Sequence, residues 1–392
     1  MPRTERPSAL NQRLLLGVML CGSPLMALIF TVIGPVLPAV AGHFGGERLT
    51  AQMIMTMPSL GIMIGGPITG WLVERFGVRR VILVMLALYG VSGCAGFVLD
   101  DRWSMLLSRF VLGAASAGVI ACTLTLISEH FAPEVRGRIL GYQGAIAAAV
   151  GFCGVMAGGV LGEASGWRAP FMLYAAGFAV LLVAVLAVPQ APHRAAAPQT
   201  AGLQKLLSLW PTFLLLVFFY GAAFTTNVQV PFKLAEKGIT SPDLLAWVIA
   251  PASITTAIGS ASYGWLRGAI GERGVFVLFP VLLATGFTLV GLADTALPTG
   301  IGCAIAGFGG GLVGPHLVGR LLAQAAPEVR GRAIGFAYTA IFAGDFLNPI
   351  VFAPLAARAG IDGAFVIVAV ALAIGSLCVA GSGRRALGHS SD

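Results

Sequence analysis

Ala132-Pro133-Glu134-Val135-Arg136-Gly137-Arg138 recurs letter for letter as Ala326-Pro327-Glu328-Val329-Arg330-Gly331-Arg332. Only 10% of the residues are charged, so a repeated heptapeptide containing Glu, Arg and Arg marks two copies of one unit. The offset, 326 − 132 = 194, is about half of the 392 residues. It also carries Gly70-Trp71-Leu72 onto Gly264-Trp265-Leu266, and Gly77 onto Gly271. A repeat at half-length predicts a duplicated architecture.

Hydrophobic residues make up 57% of the chain and its mean hydropathy is +0.90, which identifies lipid as its solvent. Apolar stretches long enough to cross a bilayer as helices fall near Leu14–Val40, Thr50–Leu72, Val81–Leu99, Ser104–Ile127, Ile139–Leu161 and Pro170–Val188. A second set lies near Trp210–Phe232, Leu244–Leu266, Val275–Ala293, Leu297–Leu322, Ala333–Ala356 and Ala364–Ala380. The expectation is an all-α membrane protein with 12 transmembrane helices in two pseudo-symmetric six-helix bundles, residues 1–188 and 209–392. A Pro- and Ala-rich linker at 189–208 joins them, and a short tail ends the second bundle. The first span is too long for a cleaved leader and is expected to remain as a helix. With the N-terminus inside, most of the 24 Lys and Arg residues fall on one face, which places both termini in the cytoplasm of a bacterial-type inner (plasma) membrane.

The net charge of +8 raises nucleic acid as a partner. Its spread over short loops at one face is better explained by orientation and anionic lipid, so membrane lipids are expected and nucleic acid is not. The six cysteines lie in apolar spans without metal-ligand spacing, and no metal or cofactor is expected. No phosphate-cradling loop is present, which argues against ATP-driven transport by this chain alone.

After the second span the chain reads Gly70-Trp71-Leu72-Val73-Glu74-Arg75-Phe76-Gly77-Val78-Arg79-Arg80. Leu107-Ser108-Arg109 with Gly113 and Gly118 opens the fourth span, and Gly166-Trp167-Arg168 precedes the sixth. Together with the duplicated heptapeptide, these resemble the loop and helix signatures of the major facilitator superfamily over essentially the whole chain. The resemblance is to the 12-helix drug and metabolite antiporters and implies their fold. Gly70, Glu74, Arg75, Gly77, Arg79 and Arg80 then form a cytoplasmic gating motif: Gly70 for close helix approach, Gly77 for an unusual backbone angle, Arg79 and Arg80 as headgroup anchors. Glu74 stands where the family usually has aspartate, and Gly154-Val155 where its antiporters carry Gly-Pro ahead of Gly158-Gly159.

Ionisable groups inside apolar spans are costly unless paired or hydrated, and each is a site candidate. Asp345 sits near the middle of the eleventh span, with Tyr338 and Asn348 on the same helical stripe and Pro349 four residues on. It reads either as a protonatable or cation-coordinating coupling group or as a structural hydrogen bond. Arg109 has no acid to pair with on the first span. It is left with Asp345, a substrate anion, water near Asp100 and Asp101, or the headgroups. His316, after Pro315, is either a proton relay or a cap for the helix break. Candidate substrate contacts are Asn227, Tyr220 and Phe224 on the seventh span, Gln52, Thr56 and Ser59 on the second, Gln143 on the fifth, Tyr338 and Asn348 on the eleventh, and Met26 and Phe30 on the first. Each polar one reads equally as a helix-to-helix hydrogen bond. The expected function is proton-coupled efflux of a small, partly lipophilic compound by a monomeric alternating-access transporter. The alternative is proton-linked uptake of an anionic metabolite or siderophore-like ligand held by Arg109. A membrane enzyme would need a clustered nucleophile and base, and a sensor an added soluble domain; neither is present.

Overall fold

The computed structural model describes residues 9–189, 203–326 and 329–387, with no strand among them. Ten helical stretches among these residues are long and apolar enough to cross a membrane. Two are unusually long, Pro242–Leu292 and Arg330–Leu387, and each is broken at one glycine in the left-handed region, Gly271 (φ 73) and Gly360 (φ 72). Divided there, the described residues form twelve long helices. We label them α1 (Leu10–His43), α2 (Arg48–Phe76), α3 (Val78–Ala95), α4 (Arg102–His130), α5 (Glu134–Ser165) and α6 (Ala169–Ala187). The second half contains α7 (Trp210–Glu236), α8 (242–270), α9 (272–292), α10 (Ala296–Gln324), α11 (330–359) and α12 (361–387). The turns α1–α2, α3–α4, α5–α6, α7–α8, α9–α10 and α11–α12 are the odd turns. Of the expected linker, 190–202 lies outside the described residues, as do Pro327 and Glu328 of the second heptapeptide and the tail beyond Leu387. The linker's last part is a five-residue helix, Leu203–Leu207.

The 194-residue offset holds at atomic detail. Gly77 (φ 80) matches Gly271, since 77 + 194 = 271, and Gly166 (φ 81) matches Gly360, since 166 + 194 = 360. All four reverse the chain between helices at an angle that a side chain opposes. Arg136 of the first heptapeptide donates from Nε to the carbonyl of Phe131 (2.9 Å), and Arg330 of the second to that of Ala325 (3.3 Å). The repeated arginine therefore closes off the end of the preceding helix, α4 or α10, where carbonyls lack intrahelical donors.

Two compact units arise, and they do not follow the sequence halves. One contains the chain up to Val32, Met57–Gly154 and the segment from Arg168; the other contains Ile33–Thr56, Val155–Trp167 and the second half. Two of the divisions fall beside breaks in helix regularity: the 3-10 turn Gly34–Val36 in α1, and Pro58 in α2. The odd-turn ends of α1, α2 and α5 thus pack with α7–α12. Outward-facing positions are apolar, as at Leu182, Leu186, Trp265 and Leu297, which suits a lipid surround.

Candidate functional site

The site grows from the close crossing of α7 and α11. A Cβ on Gly344 would lie 2.3 Å from the Val217 carbonyl oxygen, so only glycine lets the two backbones meet. One turn on, Asn348 donates from Nδ2 to the Gly221 carbonyl and to Thr225 Oγ1, both at 2.8 Å. Between them, Asp345 is 6% exposed. Among the described residues its carboxylate has neither a hydrogen bond nor an ion pair, while Tyr220 of α7 lies near enough to couple to it electrostatically. Tyr220 places its hydroxyl against Gly314 of α10, and Tyr338 stacks on Phe342 at 6.4 Å. The structure thus brings Tyr220, Asp345 and Asn348 together, the last two on the face of α11 that the helical stripe predicts.

Asn348 is not free to meet a ligand in this arrangement. Its Oδ1 accepts from Gln229 Nε2 (3.2 Å), and Gln229 Oε1 accepts from Gln52 Nε2 (2.7 Å). Gln52, a candidate substrate contact, is therefore one end of an amide chain joining α2, α7 and α11. Thr56 donates back to the Gln52 carbonyl (3.1 Å). Beyond the amides, Arg48 pairs with Glu236, and Ser241 donates to Glu163 (2.8 Å). Gln229 was not among the residues expected at the site: nine residues from Tyr220, it lies on the side of the helix away from the stripe that Tyr220, Phe224 and Asn227 share, and its one signal is a polar side chain in an apolar helix.

Lys233 was missed as well, because the expected seventh span stops at Phe232. The helix continues to Glu236, and the Lys233 side chain is wholly buried and paired with Asp362. Lys237 joins Asp362 (2.9 Å) to Asp294 (2.6 Å), and its hydrogen bonds to Asp294 and Asp362 hold its ammonium above the ordinary lysine range.

The remaining candidates occupy local positions within their own units. Arg109 is 0% exposed: Nη2 donates to the carbonyls of Ser92 (2.6 Å) and Gly93 (2.8 Å), and the guanidinium lies over Phe171 and Tyr174 at 4.9 and 5.3 Å. Nη1 is buried without a hydrogen bond. Of the partners considered from sequence, neither headgroups nor solvent water fits a fully buried guanidinium. We expect Arg109→Leu to cost about 3 kcal/mol of stability, because three hydrogen bonds, to the Ser92 and Gly93 carbonyls and from Nε to Ser108 Oγ, and the ring contacts disappear and the carbonyls are orphaned. Thermal unfolding in detergent measures it; an unchanged midpoint with lost ligand binding would show a purely ligand-holding role.

His316 sits among Tyr263, Phe276 and Phe279, stacked on Phe276 at 5.1 Å, and neither ring nitrogen has a hydrogen bond. Among the described residues it therefore makes no hydrogen bond that would cap a helix break or pass a proton, and α10 runs unbroken through Pro315. Gln143 donates to the Met19 carbonyl (2.8 Å), tying α5 to α1. Ser59 is buried with an unpartnered hydroxyl, Phe224 is buried, and Asn227, Met26 and Phe30 are half-buried.

In the gating motif, Gly77 has the positive φ expected of it, Arg75 lies over the Trp71 and Phe76 rings, and Arg79 donates to the Val185 carbonyl (3.0 Å). At Gly70 the expected close approach is not seen within its own unit: a Cβ there would meet no atom of the described residues within 4 Å. Glu74 and Arg80 are placed at the surface, Arg80 exposed and Glu74 at the end of α2 beside exposed Arg75.

Comparison with known proteins agrees with the geometry. The sequence model described as Major Facilitator Superfamily matches residues 19–318. The 3-(3-hydroxy-phenyl)propionate transporter of Escherichia coli (strain K12) is 25% identical over 335 residues, 79% of this chain and 78% of that one. The multidrug export protein EmrB of Haemophilus influenzae (strain ATCC 51907 / DSM 11121 / KW20 / Rd) is 28% identical over 137 residues, 35% of this chain and 27% of its own. The crystal structure of a bacterial homolog of the human lysosomal transporter Spinster shares the fold, with TM-score 0.72 at 16% identity, covering 95% of each chain.

Proposed function

The chain belongs to the Major Facilitator Superfamily, and from that premise we propose that it is a proton-coupled secondary transporter exporting a small, partly lipophilic compound by alternating access. It is an integral membrane transporter and not an enzyme. The reading places both termini in the cytoplasm and the odd turns outside, in a bacterial-type inner membrane, with the protein acting as a monomer.

The observation that carries the proposal is Asp345. A carboxylate in the middle of a membrane helix, with no hydrogen bond or ion pair among the described residues, is tolerated when it binds a proton or a cation. Tyr220 provides aromatic surface beside this acid, and Tyr338, 51% exposed and stacked on Phe342, adds more on α11. Proton release at Asp345 changes the local charge where the dielectric is low, which is sufficient to bias a two-state transporter. The partial likeness to a multidrug export protein supports an outward direction.

A second reading, uptake of a carboxylate, is favoured by the relative named for 3-(3-hydroxy-phenyl)propionate. It requires Arg109 Nη1, which has no hydrogen bond, to receive the anion. A ligand-stabilisation screen on purified protein at two pH values, followed by flux of each hit in proteoliposomes under an imposed pH gradient, separates the two. Export predicts stabilisation by lipophilic cations or neutral compounds, weaker at the lower pH, and proton movement opposite to the compound. Stabilisation by carboxylates alone, with protons moving in the same direction, overturns it.

A further inference from the structure

The four charges at the odd-turn end of the second half have a counterpart in the first. Asp294 corresponds to Asp100, since 294 − 194 = 100, and Asp362 to Arg168, since 362 − 194 = 168. In the first half Arg168 pairs directly with Asp100. In the second half both positions are acids, and the cations that satisfy them, Lys233 and Lys237, both come from α7 and the residue after it. Sign inversion at one position therefore ties α7 to the α9–α10 and α11–α12 turns.

The adjoining stripe of the same helix end holds Gln229 and Glu236, seven residues apart, and these face α2 through Gln52 and Arg48. The two sets of contacts differ in how readily they can be broken. Neutral amide bonds and an exposed ion pair exchange their partners for water at small net cost when they separate. The ammonium of Lys233, 0% exposed, would have no water and would keep only a long contact to the Gly291 carbonyl (3.5 Å) if Asp362 left it. One set suits a contact that opens in every cycle, the other a contact that never does.

We propose that the odd-turn end of α7 is the fixed post of an outer gate: Lys233 and Lys237 anchor it, and Gln229 with Glu236 receives Gln52 and Arg48 of α2 when the gate closes. Gln229 is the positioning residue, because its side chain bonds both α2 and α11. Asn348, which it bonds on α11, is three residues from Asp345, so the gate and the acid share one helix face. The inference rests on the alternating-access reading.

The test uses the full chain with its six cysteines replaced and Thr56→Cys as reporter. Thr56 is 0% exposed and one turn below Gln52. Cells are treated with a membrane-impermeant maleimide, and flux is measured in parallel. Gln229→Leu is expected to raise the labelling rate about tenfold, the scale set by two lost hydrogen bonds. Arg48→Glu, which sets like charges together at an exposed site and leaves folding intact, is expected to raise it several-fold, about what such a repulsion supplies. Arg48→Glu combined with Glu236→Arg is expected to return it to the parent rate. Unchanged labelling in Gln229→Leu and Arg48→Glu, in a parent that transports, overturns the gate while leaving the transporter reading in place. Raised labelling in Arg48→Glu that the charge swap does not reverse also overturns it. Absence of gradient-driven flux in the unsubstituted chain, with the expected labelling pattern in the reporter series, overturns the transport reading and leaves the contact assignment standing.

Discussion

Asp345→Asn is expected to abolish proton-driven transport while leaving substrate binding in place. The substitution keeps the volume of the side chain and removes the carboxyl group of the α7–α11 crossing, which has no partner among the described residues to fix its protonation state. In the parent, linkage of one proton makes ligand affinity change by up to about tenfold per pH unit where the carboxyl titrates. In the variant that slope is expected to be flat, and a pH gradient to drive no net flux, although counterflow of labelled against unlabelled substrate continues. Isothermal binding at several pH values and flux in proteoliposomes measure the two arms separately. A variant that still accumulates substrate against its gradient in response to pH would remove Asp345 from coupling and return it to the structural role that its neighbour Asn348 has.

That contrast shows what the sequence made legible. Asp345 and Asn348 lie on one stripe and look alike as polar residues in an apolar helix, yet one is unpartnered and the other bonds three groups. Helical period fixes which residues share a face, but not which neighbouring helix supplies a partner. Arg109 and His316 illustrate the same limit: each is a sound candidate as a polar group in a span, and each turns toward aromatic rings inside its own unit. Lys233 was lost for a simpler reason. Hydropathy ends a span at the first charge, whereas the hydrogen bonds of α7 continue one turn farther because Asp362 neutralises that charge. The duplicated architecture was legible because turn glycines and capping arginines act locally, and local chemistry repeats with the sequence.

Duplication also predicts equal sensitivity at matched positions, and the crossing of α2 with α4 offers the sharpest case. A Cβ on Gly113 would lie 2.0 Å from the Pro58 carbonyl oxygen. At the offset, Gly307 and Ala252 repeat the contact between α8 and α10, where a Cβ would lie 2.6 Å from the Ala252 carbonyl oxygen and 2.5 Å from Thr255 Oγ1. The obstacles at the first site are backbone and cannot turn aside, whereas the threonine at the second can rotate. Gly113→Leu is therefore expected to cost about 3 kcal/mol or more, enough to prevent recovery of folded protein, and Gly307→Leu somewhat less. Gly70→Leu, with open space around its Cβ, is expected to change stability by less than about 0.5 kcal/mol despite lying in the signature loop region. Size-exclusion profiles and thermal midpoints of the three variants in detergent rank them. A Gly70→Leu protein less stable than Gly113→Leu would mean that close helix approach is made at the signature glycine and not at the α2–α4 crossing, and would undo the matched-crossing description of the fold.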